Sequence, residues 1–515
     1  MASVSRTDRD ATPAKCAFQT GRASGYILGM NKKIWTVFAS LLLASCARTS
    51  PEMAAVNAAA EALGGKSRIQ QIKTLTIDGE GDAPNLGQNI TPEGPLPVWK
   101  VTEFHRALEL ATGRTRVRQV RTAQFLFAGA TTQKLDQGID GEIGYNIGDD
   151  GMPARTAASV VRDRRIEALH HPVVLLRAAL DPAAKVGHLR QFNDSEQVDI
   201  TTATGDLLTL TIDAVSKTPL RISSTSDNPN LGDVTIETSF GDYETISGLK
   251  VPKRLITKID RYPQFDLRIT RNTIDGDTGD LMAPPQLKGM SLPPAAAISV
   301  TAKEVGKGIW WLAGSGNHRS ILFEFSDHLV LFEAPLNEAR TKAVIDTARS
   351  LRPEKPLTHV IVSHHHFDHS GGLRAAVAEG LTVITYRGNV EFFKDLVARK
   401  HSIVPDALAR NPKPLKIEAV NDELTLKDNL MEVRLYHLQK NPREGTNLFA
   451  YVPRDRMLVQ ADMYDSAWLQ HPWGDNLPYN LGLRKLQVAL DVPVHGEIQT
   501  YDEVLKTIAS KKSSD

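Results

Sequence analysis

Residues 363–372 read Ser-His-His-His-Phe-Asp-His-Ser-Gly-Gly, a dense run of groups able to bind a metal. His364, His366, Asp368 and His369 follow an apolar, strand-like stretch at 359–362. Neutral imidazoles and a carboxylate are the donors that a borderline cation such as zinc takes in low-coordinate sites. In extended chain His364 and His366 project to the same side, because side chains alternate with period two. Asp368 and His369 arrive as the chain turns toward Gly371 and Gly372, so these four donors can serve two neighbouring cation positions. A merely solvated histidine loop would need neither the apolar stretch before it nor the glycines after it.

The elements that must hold this run alternate in type. Strand-like segments at 309–312, 321–325 and 329–332 precede a helix with Val344, Ala348 and Leu351 on one face. The strand ending at the histidines follows, then a helix at 373–378 and a strand at 382–385. Such alternation predicts an α/β architecture. Upstream, from about 74 to 280, the pattern is short alternating stretches such as Leu208-Thr209-Leu210-Thr211-Ile212, separated by turn signals such as Asp227-Asn228-Pro229-Asn230. This predicts a mostly antiparallel β domain with a helical insert near 162–180. Its order loosely resembles the half-barrel of bacterial lipoprotein carriers. A helical pattern over 51–72 stops at Gly64-Gly65. Residues 282–297, with two Pro-Pro pairs and an alanine run, have linker composition. A chain of 515 residues is too long for one core. The predicted organisation is a leader over 1–46, a β-rich domain over 51–281, a linker over 282–297 and a second domain over 298–515.

The pattern His-x-His-x-Asp-His resembles the metallo-β-lactamase superfamily. The resemblance covers roughly 298–505 and implies an αβ/βα sandwich, two sheets face to face with helices outside and the metal site in loops at one edge. It also implies later ligands. Asp462 ends the apolar run Leu458-Val459-Gln460-Ala461, where the family places a carboxylate between two metals. His495 ends Val492-Pro493-Val494, matching the last ligand. The family's remaining histidine belongs on the loop 441–447, where this chain has Arg443. A guanidinium stays protonated and only donates, so it cannot ligate. The expectation is one tightly held zinc at Asp368, His369, Asp462 and His495. His364 and His366 then bind a second ion weakly, unless His437 or Glu444 joins them. Asp368 is the candidate catalytic carboxylate, and Arg443 a candidate anchor for an anionic substrate group. Tyr464, Trp468 and Trp473 are candidates for an apolar substrate wall, or for ordinary packing. The implied activity is metal-dependent hydrolysis of a small-molecule ester, lactone, lactam or related bond. The alternative is an envelope lipoprotein that binds an apolar ligand and whose second domain has lost turnover.

The start of the chain carries its own signal. From Met30, two lysines precede an apolar stretch at 34–43 and then Ala44-Ser45-Cys46. This is the layout of a secretory signal, too short for a permanent span. Leu43-Ala44-Ser45-Cys46 resembles a bacterial lipobox, which implies a lipid-anchored protein on the periplasmic side of the cell envelope. Cys16 and Cys46 are the two cysteines, both in this segment, so the predicted mature chain has no disulfide framework or zinc–thiolate site. A net charge of +1 argues against nucleic acid as a partner. Arg114, Arg116, Arg118 and Arg121 nearly alternate, and the expected reading is a solvated sheet face rather than an anion seat. His170-His171 before Pro172 reads as a helix end.

Overall fold

The computed structural model describes residues 49–125, 131–292, 298–314, 316–465 and 473–512. The signal-like segment with Cys16, Met30 and Cys46 lies outside them, as does Trp468. Ser50–Asp515 forms one compact unit.

The first part is a 13-stranded sheet in which neighbouring strands pair antiparallel, and the order leaves it open rather than closed into a barrel. Thr74–Pro84 and Tyr262–Ile274 pair at its centre, and its edges are Pro153–Arg155 and Lys185–Gln191. The latter edge is irregular between Gly187 and Arg190. Four helices, Pro51–Ala62, Lys66–Gln71, Ala158–Leu169 and Pro172–Ala179, bury Val56, Ile69, Ile166 and Leu175 in one core with strand residues such as Leu75, Val101, Leu210 and Leu267. The expected single helical insert is therefore two helices. Pro172 fixes the first turn of the second, where its missing N–H costs nothing. His170 between them is buried and shares hydrogen bonds with Thr238 and Ser224. The arginine stripe lies opposite two acids and an amide of the next strand. Arg114 donates to Asp140, Arg116 pairs with Asp136 at both oxygens, and Arg121 donates to Gln133.

The second part is a four-layer sandwich. A seven-stranded sheet begins with Val300–Gly306 and ends with Lys416–Val420; a six-stranded sheet runs from Glu423–Lys427 to Gln499–Thr500. Strands of the first sheet feed two cores by alternation. Leu329, Leu331, Val360 and Val383 face the outer helices, whereas Val330, Phe332, Ile361 and Ile384 meet Val433, Leu435 and Val459 of the other sheet. Burial on both faces explains why these strands read as continuous apolar runs. Helices Glu338–Leu351, Leu373–Ala378 and Val390–Ala398 cover the first sheet, and Trp473–Leu483 and Tyr501–Lys512 the second.

The two parts share a seam. Leu231 and Val234 of the large sheet enter the core under the outer helices of the sandwich. Asp233 caps the N–H groups of Ser402 and Ile403, and Arg399 pairs with Asp260.

Candidate metal centre

Parallel pairing brings the chemistry to one edge. Leu329–Phe332 pairs parallel with Leu357–Ile361, so Glu333 and the histidine run leave the first sheet side by side. Met457–Gln460 pairs parallel with Leu490–Pro493, which does the same for Asp462 and His495 in the second sheet. Parallel neighbours necessarily end together, whereas a hairpin would send them to opposite edges. Leu448 N–H donating to Ser363 O at 3.0 Å ties the two edges to each other.

Four donor atoms converge there. His369 Nε2 lies 3.0 Å from His495 Nε2, 3.4 Å from Asp462 Oδ1 and 3.4 Å from Asp368 Oδ2. His495 Nε2 lies 3.2 Å from Asp462 Oδ1 and 3.7 Å from Asp368 Oδ2. A tetrahedral cation with bonds of about 2.1 Å has ligand–ligand edges of about 3.4 Å, close to the five separations that involve the two imidazoles. The ring tautomer suits it too. Asn317 O can only accept, so His495 Nδ1–H donates to it at 2.6 Å and Nε2 is left with its lone pair toward the cluster. Behind His369, Glu333 Oε2 is 3.6 Å from Nδ1 and wholly buried. Glu333 and Asp462 are both non-glycine residues at positive φ, +80° and +58°. Backbone in this region is unfavourable and is retained where a side chain must be aimed.

Negative charge crowds the histidines. Asp368, Asp462, Glu333 and Glu444 surround the histidines, with Arg443 as a counter-charge. Burial alone would push the His369 imidazole down, but Asp368, Asp462 and Glu333 outweigh it and hold it well above its ordinary value. Burial would likewise raise Asp462, yet Arg443 and His369 keep it well below the usual carboxylate range. For His364 burial prevails and lowers it to about 3.

The remaining predicted residues lie beside this cluster. His364 Nε2 is 3.0 Å from His366 Nδ1, and these atoms are 3.5 and 3.9 Å from Asp462 Oδ2. Arg443 is 3 % exposed, and its Nε donates to that same Asp462 Oδ2 at 2.5 Å while Nη2 donates to Gln88 Oε1 at 3.1 Å. His437 stays away, stacked on Tyr386 with Nε2 at 3.1 Å from Gly445 O. Glu444 is nearby but on the other side of the ring, its Oε2 3.0 Å from His366 Nε2 rather than Nδ1. Tyr464 packs in the core between the second sheet and its helices, its hydroxyl donating to Gln499. Trp473 opens the helix Trp473–Leu483.

Four site residues escaped the sequence reading. His318 Nε2 lies 3.5 Å from Asp368 Oδ2, at the partly exposed side of the cluster. Gln88 and Asn89 come from the connection between two strands of the large sheet. Asn89 O accepts from His366 Nε2–H at 2.8 Å, and Gln88 Nε2 donates to Asp368 Oδ1 at 3.0 Å. Neither amide sits in a motif. Glu333 did carry a signal, a lone acid closing the apolar run Leu329-Val330-Leu331-Phe332.

Comparison with known proteins agrees with the motif. Residues 314–446 match the family model of the metallo-beta-lactamase superfamily. A linear primary-alkylsulfatase from a Pseudomonas species is 28 % identical over 106 residues, 21 % of this chain and 15 % of the relative, so the match spans a small part of that protein. Among solved structures, a metallo-beta-lactamase from Pontibacter korlensis is 14 % identical with a TM-score of 0.33, covering 42 % of this chain and 99 % of that one. One from Hirschia baltica is 17 % identical with a TM-score of 0.32, covering 41 % and 97 %. The histidine run lies inside the matched segment and the sandwich is built around it, so the C-terminal part of this chain is similar to the metallo-beta-lactamase superfamily over residues 314–446.

Proposed function

We propose that the protein is a metal-dependent hydrolase in which Asp368, His369, Asp462 and His495 hold one divalent cation, zinc by donor type. The supporting observation is that His369 Nε2 and His495 Nε2, 3.0 Å apart, each lie 3.2–3.7 Å from an oxygen of Asp368 and of Asp462, at the meeting of two parallel strand pairs. Such an ion supplies Lewis acidity and lowers the pKa of a bound water toward neutrality. The protein's own groups do the rest. Asp368 sits at the open side, its side chain 19 % exposed, where its carboxylate can orient a water nucleophile by accepting from it while His318 beside it takes the proton. Arg443 neutralises Asp462 Oδ2 beside His364 and His366, the place of a second ion, and its guanidinium is the candidate partner for an anionic substrate group. The substrate is a small molecule with an ester, lactone, lactam or related bond; sulfate esters join the panel because of the alkylsulfatase likeness. The layout is a two-domain chain, 51–281 and 298–515 about a linker, tethered through a lipidated Cys46 on the periplasmic side of the envelope.

The test is zinc-loaded full-length protein assayed on a panel of those bonds, with metal counted after dialysis. One tight ion per chain is expected, and Asp368→Ala should abolish turnover. Absence of tight metal from the natural protein defeats the reading. The second reading, capture of an apolar ligand without turnover, has one observation in its favour. A cavity of about 450 Å³ opens beside Leu108, Leu110, Leu169, Val174 and Leu180. Solvent extraction of the purified chain, followed by mass spectrometry, should then yield a lipid that is missing from a Val174→Trp variant.

A further inference from the structure

The large N-terminal sheet reaches into the metal centre through the connection 85–97, between its strands Thr74–Pro84 and Val98–Glu109. The connection is pinned to the sandwich. Gly445 N–H donates to Ile90 O at 2.7 Å, and Asn89 caps the turn by donating to Thr91 O and Pro92 O. Gly87, at φ +74°, lies against Phe367, where a Cβ would stand 2.3 Å from the ring. Gln88 is thereby carried to the open side of the cluster. Its amide makes two bonds of opposite sense, Nε2–H to Asp368 Oδ1 at 3.0 Å and Oε1 from Arg443 Nη2–H at 3.1 Å.

We propose that Gln88 is a positioning residue for the metal centre, acting through Asp368 and Arg443, so that the N-terminal sheet is part of the site. This rests on the reading of Asp368 as a ligand. The chemistry singles out a neutral amide. Its separate N–H and carbonyl ends donate to a carboxylate and accept from a guanidinium at the same time without adding charge. Fixing Oδ1 leaves Oδ2 turned toward His369 and His495. Fixing Nη2 leaves Nε against Asp462. A glutamate at 88 would keep the second bond and lose the first; a methionine of similar length would lose both. Partners of this kind typically change metal affinity by about 10–100-fold when removed.

The test is zinc competition against a chromophoric chelator for the full-length natural protein, Gln88→Met and Gln88→Glu, with the visible spectrum of each cobalt-loaded form. Gln88 is partly exposed on a connection, so neither change opens a cavity, and the melting temperature of the metal-free forms checks the fold. Weaker zinc binding by about 10–100-fold in both variants, with an altered cobalt spectrum and unchanged metal-free melting, is the expected result. Natural affinity in Gln88→Met overturns the proposal. Natural affinity in Gln88→Glu alone overturns the Asp368 arm of it. Failure of the natural protein to bind zinc sinks the underlying metal reading instead, so the two failures are told apart.

Discussion

Replacing Arg443 by histidine puts the account of this centre under most strain. The Arg443–Asp462 contact is 2.5 Å long, with both side chains 3 % exposed or less. Breaking a buried pair by removing one member costs about 3–5 kcal/mol, chiefly because the other charge is stranded. With about 2.1 cal/mol/K of unfolding entropy per residue and roughly 470 residues in the unit, that loss lowers the metal-free melting temperature by about 3–5 °C. The imidazole then joins His364 Nε2 and His366 Nδ1, already 3.0 Å apart, beside an Asp462 oxygen no longer taken by the guanidinium. A second zinc should bind. At a free concentration a hundred times its dissociation constant it returns about 2.7 kcal/mol, or about 3 °C. Arg443→Met should show the loss without the return. The assay is elemental analysis after dialysis, paired with melting curves across a zinc series. One zinc per chain in Arg443→His, with a zinc response matching that of the natural protein, would show that Arg443 does not hold the second position.

Other consequences are separately measurable. Glu333→Gln removes the carboxylate behind His369 and should weaken zinc by about 10–100-fold with little change in metal-free melting; unchanged affinity would deny Glu333 an orienting role. Burial raises the Asp491 carboxyl to about 7, so the folded chain keeps a proton that the unfolded chain loses above its ordinary value of 3.8. Stability from this group therefore falls as pH rises from 4 to 7, by about 4 kcal/mol in all. Asp491→Asn should lack that slope, and parallel melting profiles for the two proteins would refute it. Gly87→Ala forces a Cβ toward Phe367 at a positive φ, and should lower stability by about 1–3 kcal/mol while loosening zinc through the displaced Gln88.

Much of the centre was legible because the histidine run, Asp462 and His495 each follow an apolar strand. The runs before His364, Asp462 and His495 are largely buried, so their hydrophobicity marks the strand, and the polar groups within a residue or two of its end mark the edge. Glu333 obeys the same rule and could have been found by it. Gln88, Asn89 and His318 obey no local rule. Gln88 and Asn89 are placed by the docking of the large sheet on the sandwich and His318 by a loop between two sandwich strands, and residues in connections leave no periodic trace. The position of Arg443 was readable, but not its partners, since its contact with Gln88 joins residues 355 apart in sequence. The antiparallel character of the first part followed from alternation. The split of its helical insert depended on Pro172, whose meaning as a first-turn residue rather than a stop is fixed by the packed helix around it.

The ends of the 13-stranded sheet bear on how copies of this protein meet. A long sheet whose last strand is straight and apolar invites a neighbour to add its own strand, and polymers follow. Here one terminal strand is three residues long and begins with Pro153. The other carries Lys185 and Arg190, with a break in register and His188 at φ +54° between them. Both rims thus refuse a foreign strand, and a protein crowded beside its own kind can keep an unclosed sheet without fibre growth.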